Sequence, residues 1–291
     1  MKNKSIDEVA SNISKKIVLL KRDKNKSILK KYLKPCLAGL KSDSGSINKS
    51  KVGGIPLLPD DFTIPSYEGQ SLKFLSQIDF SETHDLDISN TLPSKGMLLI
   101  FMYLENETGD LTIPNFNPAQ LRSYYFENTE ILSPCKDESV VSKYLKETRI
   151  SFNQYMDFPE SGDYQLSEND AKIDNDFILS WELIPQEFQI ESPSFKLLGY
   201  PTDDAMNTYP EWYFFDNKIN LMTPEDSSKF YKQAEGTEAE FSLLIQINLE
   251  GLGAIHLEDE FAEFGGISIG IKTEDLKNRN FERLQFKYTR S

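Results

Sequence analysis

Residues 74–80 read FLSQIDF, and residues 243–249 read LLIQINL. Each stretch begins with two apolar residues and has a glutamine at its fourth position. The glutamine is followed by an isoleucine, then by an aspartate or asparagine, and then by another apolar residue. A polar interval and then a glycine-led apolar segment follow each stretch, at residues 96–101 and 265–270. Apolar runs of this length, separated by turn-forming residues, are typical of β-strands. The repeated order predicts two similar sheet units that share one core.

Four polar side chains on these strands are the candidate ligand-binding residues. Side chains alternate between the two faces of a strand, so Gln77 and Asp79 share one face of the first unit. Gln246 and Asn248 share the corresponding face of the second unit. Each group needs partners, because a buried polar group without a hydrogen bond costs about 1–3 kcal/mol. Two interpretations stay open. The four groups bond neighbouring loops and hold the units together, or they floor a cleft between the units that binds a small polar ligand or a peptide.

The rest of the chain predicts an α+β fold with mostly antiparallel sheets. Short apolar runs alternate with Pro, Gly, Asn and Asp across residues 52–291, and hairpin-length connections outnumber those of βαβ length. We expect these residues to form a single domain with an internal duplication, as two pseudo-repeats at about 52–150 and 195–291. N-terminal helices precede it in a basic helical lead at residues 1–41, and residues 42–51 form a polar linker.

Helical spacing is clearest in the N-terminal lead. Apolar residues recur at steps of three or four from Ile6 to Leu20, and Pro35 ends the pattern after a second apolar set. A basic amphipathic segment can also bind a membrane surface, and residues 5–34 would be that segment. Its apolar face lacks Trp and Phe, so an ordinary packed helix with lysines at its margins is the favoured interpretation.

The charge distribution disfavours one class of partner and favours another. Residues 1–51 contain 14 basic and 4 acidic side chains, whereas residues 52–291 contain 18 basic and 42 acidic ones. The acidic body repels phosphate backbones, because nucleic-acid binding depends on Lys and Arg. It attracts basic protein surfaces, although acidity also serves solubility alone. We expect a basic protein partner such as a toxin, no nucleic acid and no membrane, and the sequence leaves the oligomeric state open.

Familiar catalytic and metal-binding patterns are missing from the sequence. The two histidines, His84 and His256, lie outside any HExxH or Cys/His pattern, and there is no Walker A or GxGxxG motif. We therefore predict no catalytic residue, no metal and no cofactor. The two cysteines, Cys36 and Cys135, form neither a CxxC pair nor a disulfide framework. Because the N-terminus also lacks an apolar core of signal-peptide length, we expect a cytoplasmic location.

Several stretches match one known family in the same order along the chain. They are KVGGIPLLP at 51–59, the strand at 72–80, LPSKGML at 92–98, KLLGYP at 196–201, and the closing segments at 244–248, 265–269, 274–276 and 279–281. In these motifs the chain resembles the YwqG-like family, a bacterial domain of unknown function, over about residues 30–291. The resemblance implies an α+β fold with an internal duplication, and it implies no established catalytic residue, cofactor or substrate. Because some relatives lie beside secreted toxin genes, it also suggests an immunity role.

These observations favour a non-enzymatic interaction module, of an immunity type, whose acidic surface binds a basic partner. The alternative is a small polar ligand-binding or catalytic module that uses a cleft between the duplicated units.

Overall fold

Short β-strands make up most of the structure. A computed structural model describes residues 31–43, 49–105, 117–157, 193–202, 205–219, 236–256 and 266–289, together with the single positions 11, 159 and 234. The strands in these ranges are β1 (Lys34–Lys41), β2 (Lys51–Val52), β3 (Leu57–Leu58), β4 (Ser66–Tyr67), β5 (Gln70–Ser71), β6 (Lys73–Asp79), β7 (Met97–Met102), β8 (Leu121–Phe126), β9 (Ser133–Pro134), β10 (Thr148–Asp157), β11 (Phe195–Leu197), β12 (Phe241–Asn248), β13 (Gly266–Lys272) and β14 (Leu284–Thr289). The two helices bounded in these ranges are α1 (Ala205–Asp216) and α2 (Thr273–Lys277).

Ten of the strands form one antiparallel sheet in the order β14-β13-β12-β11-β1-β10-β2-β6-β7-β8. Its edge strands, β8 and β14, contact each other, so the sheet nearly closes into a barrel. At this seam Ser123 Oγ donates a hydrogen bond to the Phe281 carbonyl oxygen. The Phe281 ring lies 5.7 Å from the Phe80 ring and 5.2 Å from the Tyr125 ring, between centroids. Two further pairs, β3 with β9 and β4 with β5, form small separate sheets.

The predicted α+β fold preceded by N-terminal helices is wrong, because the described chain is mostly β. Residues 34–41, which we assigned to the helical lead, form β1 in the middle of the sheet, between β10 and β11. Gly39 allows this close approach, since a Cβ there would lie 2.7 Å from the side chains of Ile150 and Phe195. The helical spacing ends at Pro35, and pairing with β10 and β11 makes the residues after it a strand. The rest of the lead, and residues 44–48 of the linker, lie almost entirely outside the described residues.

The sheet is buried on both faces. In β7, Leu98 joins the main core, whereas Leu99 packs on the opposite face under the segment that carries β3 to β5. Phe62 of that segment belongs to the same second cluster. Because both faces are covered, β7 reads as an uninterrupted apolar run rather than an alternating one. In the C-terminal half α1 covers the face opposite the main core, with Trp212 so close to Gly270 that a Cβ there would lie 2.5 Å from the indole ring.

The strand order divides into two halves of the same pattern. The N-terminal half is β10-β2-β6-β7-β8, and the C-terminal half is β1-β11-β12-β13-β14. The register shifts between Phe74 and Ser76 in β6, and between Leu243 and Ile245 at the matching point of β12. β1 comes first among the described strands, yet it completes the C-terminal half.

Candidate functional site

The two glutamines of the repeated strands bond the segments next to β2 and β11. Gln77 Oε1 accepts a hydrogen bond from Leu57 N at 3.0 Å, and its Nε2 donates to Lys49 O at 2.6 Å. Gln246 Oε1 accepts from Thr202 N at 3.1 Å, and its Nε2 donates to Thr202 Oγ1 at 2.7 Å. Both glutamines are buried, so these bonds supply the partners that burial requires.

Two buried lysines make a second matched set of contacts beside the glutamines. Lys51 Nζ donates to Glu147 Oε2 at 2.8 Å and to the carbonyl oxygen four residues ahead of it. Lys196 Nζ donates to Asp157 Oδ2 at 2.9 Å and likewise to the carbonyl oxygen four residues ahead. Each lysine therefore links a carboxylate to the turn formed by the four residues that follow the lysine. The carboxylates come from different places, Glu147 just before β10 and Asp157 at its end.

Glycines bring these turns into contact with the carboxylates. Gly54 has a φ of +75° and Gly199 a φ of +85°, a region that side chains other than hydrogen disfavour. A Cβ would lie 2.3 Å from Glu147 Oε2 at Gly54 and 2.4 Å from Asp157 Oδ2 at Gly199. Both close approaches therefore require glycine. Gly54 in the segment at 51–59 and Gly199 in the segment at 196–201 thus let the two turns pack against these carboxylates.

The two lysine contacts place titratable groups in different environments. Burial favours the neutral form of Glu147, but the hydrogen bond and charge of Lys51, with those of Arg149, hold the pKa of that carboxyl below its usual value. Burial raises the pKa of the Cys36 thiol well above its usual range; Asp157 adds to this effect and Lys196 opposes it. The Cys36 thiol is therefore protonated at neutral pH and is a poor nucleophile.

Asp79 occupies a different setting from the glutamines, because it ends β6 at an open cleft. Its Oδ1 accepts hydrogen bonds from Ser81 N at 3.0 Å and from Ser81 Oγ at 2.6 Å, which caps a short 3-10 turn at Phe80–Glu82. Its Oδ2 lies 3.7 Å from Lys49 Nζ, which is an ion-pair distance but too long for a hydrogen bond. The Asp79 side chain is 5% exposed, whereas that of Lys49 is 53% exposed.

The cleft has a volume of about 510 Å³ and lies at one end of β6, β7 and β8. Its lining carries charges of both signs and several hydroxyl and amide groups: Lys49, Asp79, Ser81, Lys95, Gly96, Glu127, Asn128, Thr129 and Glu130. Pockets that hold small ligands commonly have volumes in this range.

Local hydrogen bonds fix the walls of the cleft. On one wall, Tyr125 Oη donates to Lys95 O at 2.8 Å, and a Cβ at Gly96 would lie 2.7 Å from the same tyrosine ring. On the other wall, Asn128 Oδ1 accepts from Glu130 N at 3.1 Å and caps the 3-10 turn that follows. The backbone is thus held in place. The charged ends remain free to rearrange, because the paired Lys95 and Glu127 side chains are 66% and 60% exposed.

The four predicted site residues do not meet in one cleft. Asp79 lines the cleft. Gln77 contacts the cleft indirectly, because its Nε2 donates a hydrogen bond to the backbone of the lining residue Lys49. Gln246 and Asn248 lie in the C-terminal half, and four strands separate them from β6 in the sheet. There Asn248 Oδ1 accepts from Gly251 N at 2.7 Å and caps a turn. The cleft therefore lies within the N-terminal half rather than between the halves.

The sequence analysis missed the lysines and the far wall of the cleft. A usable signal for Lys51 and Lys196 was present, since residues 51–56 and 196–201 share a lysine, a glycine and a proline at the same spacing. Glu127 and Glu130 gave no such signal, because only the pairing of β8 with β7 brings them to Asp79.

The described residues contain no group of three His, Cys, Asp or Glu side chains that could hold a metal ion. His84 and His256 are both exposed, and Cys36 and Cys135 are both free thiols. Within the same ranges, no helix combines the length and the apolar character needed to cross a bilayer.

One comparison with known proteins gives a match. The family model described as a domain of unknown function, DUF1963, matches residues 50–289. This span includes every strand of the sheet except β1, together with the cleft residues from Asp79 onwards. A search of curated proteins found no match.

Proposed function

We propose that this chain, which belongs to the DUF1963 family of domains of unknown function, is a non-enzymatic interaction module for a basic protein. The observation that carries the proposal is an exposed acidic surface beside the cleft, on a body with 42 acidic and 18 basic side chains in residues 52–291. In line with the YwqG-like resemblance, we favour an immunity protein that masks a basic toxin. Its two free cysteines suit the reducing conditions of the cytoplasm.

The acidic surface, here called the acidic face, adjoins the far wall of the cleft. Its five members are all exposed: Asp60, Asp61, Glu127, Glu130 and Ile131. The pairing of β3 with β9 brings the two aspartates to the turn that contains Ile131, and Ser133 Oγ donates to Asp60 Oδ1 at 3.0 Å. One exposed apolar side chain therefore has carboxylates around it.

This combination fits a protein partner. Ile131 is 52% exposed, although large apolar side chains are mostly buried elsewhere in the described residues. Contact with a partner would bury it, while the carboxylates would steer a basic surface into place and fix its orientation. Carboxylates on the rim act mainly on the rate of association and on its salt dependence.

Basic proteins encoded next to this gene are the probes for the test. Their affinity is measured by calorimetry at about 50 mM and about 300 mM salt, where screening differs strongly. The test variant is Asp61→Asn/Glu127→Gln/Glu130→Gln. Three charges at about 0.5 kcal/mol each amount to about a tenfold loss of affinity at low salt.

A matched control removes the same charge elsewhere on the chain. Glu240→Gln/Glu250→Gln/Glu282→Gln changes three exposed carboxylates of the C-terminal half and should leave the affinity almost unchanged. Equal losses in both triple variants would mean that net charge alone attracts the partner. Failure of every neighbouring basic protein to bind at low salt would remove the proposal.

The mixed charge of the cleft supports a second function, the binding of a small polar ligand. Lys49 and Lys95 lie opposite carboxylates there, which is the arrangement that a zwitterion requires. A screen of amino acids by thermal shift tests this alternative. Stabilisation by a zwitterion, with no basic protein bound, would favour it over the interaction module.

A further inference from the structure

We infer that the cleft is the pocket in which the acidic face receives an arginine side chain of its basic partner. The inference rests on the proposed function and adds the chemical identity of the contact. Its starting point is the nearly buried carboxylate of Asp79, which lines the cleft and has one oxygen within ion-pair distance of the cleft lysine Lys49.

The two oxygens of Asp79 differ in what they bond. Oδ1 accepts two hydrogen bonds from Ser81. Oδ2 accepts no hydrogen bond from the residues that the structure describes, and its nearest cation is Lys49 Nζ at 3.7 Å. The Asp79 side chain is only 5% exposed, and a carboxylate oxygen with so little contact with water gains most from charged donors. The cleft therefore presents an acceptor that a ligand cation can bond directly.

The lysines already in the cleft hold this acceptor only loosely. Lys49 is 53% exposed and Lys95 is 66% exposed, and Lys95 pairs with Glu127 at 3.1 Å rather than with Asp79. Exposed ion pairs of this kind contribute about 0–1 kcal/mol. An entering cation can therefore displace both lysines into solvent at little cost.

The arrangement of acceptors favours a guanidinium over an ammonium group. Asp79 lies at the floor of the cleft, and Glu127 and Glu130 lie on its wall. A planar guanidinium carries five N–H donors in a fixed fork and can bond carboxylates on more than one side, whereas an ammonium is a single strongly hydrated point charge. Lysine would only repeat the contact that Lys49 already makes.

The probe for the test is N-acetyl-arginine amide, with N-acetyl-lysine amide and N-acetyl-aspartate amide as comparisons. Two-dimensional amide spectra of the labelled full chain report binding at Ser81 and Gly96, which line the cleft. The arginine probe should give saturable shifts at these two amides. The lysine probe should bind at least about threefold more weakly, and the aspartate probe should give no saturable shift.

Two substitutions in the cleft have opposite expected effects. Asp79→Asn keeps the oxygen that caps the turn but removes the charge, and should weaken binding of the arginine probe about tenfold. Lys49→Ala removes the competing cation and should strengthen it about threefold. Lys136→Ala, at an exposed lysine outside the cleft lining, is the control and should change nothing. Thermal melting of each variant checks that the fold is retained.

The outcomes separate this inference from the proposed function. Saturable binding of the aspartate probe would identify an anion site and overturn the inference, and weaker binding of the arginine probe in Lys49→Ala would also overturn it. Unchanged binding in Asp79→Asn would also overturn it. If a basic protein binds the acidic face while the arginine probe does not bind, the inference fails and the proposed function stands. If the probe binds and no basic protein does, the proposed function fails.

Discussion

Replacing Lys196 by methionine should destabilise the protein much more than replacing Lys51 by methionine, although the two lysines make matching contacts. The Lys196 side chain is 1% exposed and its partner Asp157 is 4% exposed. In Lys196→Met the carboxylate keeps its bond from Tyr200 N at 2.9 Å but loses a buried cation. Removing one partner of a buried ion pair costs about 3–5 kcal/mol, a large part of the about 5–15 kcal/mol that stabilises a typical domain.

Lys51 provides the matched comparison, because its surroundings are wetter. Its side chain is 10% exposed and that of Glu147 is 38% exposed. In Lys51→Met the carboxylate can turn into water, so the cost should be about 1–2 kcal/mol. The difference between the two variants isolates the burial of the charge.

Urea unfolding followed by circular dichroism measures both free energies. The double variant Lys196→Met/Asp157→Leu removes both charges and should recover part of the loss, because an apolar pair can replace a buried ion pair. A loss in Lys51→Met as large as that in Lys196→Met would refute the reasoning. So would a double variant less stable than Lys196→Met alone.

Three further predictions concern single groups. Ser268 Oγ is buried without a hydrogen-bond partner among the described residues, so Ser268→Ala should be neutral or stabilising. Ser50→Ala loses the bond from Asp79 N at 2.9 Å and should cost about 1 kcal/mol in urea unfolding. The reverse order of stabilities would contradict the hydrogen bonding described. The lowered pKa of Glu147 means that its contribution to stability is present above about pH 4.5 and is lost as the pH falls through the lower folded value. Glu147→Gln should therefore flatten the acid side of the stability profile, and an unchanged slope would count against the Lys51 contact. Because burial raises the pKa of Cys36, a thiol reagent at pH 8 should modify Cys135 first, and mass spectrometry of the peptides would expose the opposite order.

The sequence predicted the repeated strands because their signal is local. Residues 74–79 and 243–248 lie within β6 and β12, where period-two patterning is visible without any neighbour. The glutamines also fit the interpretation in which they bond nearby loops, since Gln77 reaches Leu57 and Gln246 reaches Thr202. These matched contacts support the two pseudo-repeats, which stay a prediction.

The errors concern features that distant parts of the chain decide. β1 was assigned to a helix because its two neighbours in the sheet come more than a hundred residues later. The cleft could not be located either, since Asp79 meets the turn at 127–130 only through the pairing of β6, β7 and β8. A ligand role for Gln77, Asp79, Gln246 and Asn248 remains a prediction, and Asp79 is the one that lines the cleft.

The position of β1 has a consequence for synthesis of the protein. The ribosome releases this strand before its partners, because Lys34 pairs with Asp157 and Leu37 pairs with Leu197. The apolar face of β1 therefore stays unpaired while more than a hundred further residues are translated. Exposed strands of this kind can associate with other nascent chains. Folding of the C-terminal half thus depends on a strand made more than a hundred residues earlier than its partners, and the rate of translation sets how long that strand stays unpaired.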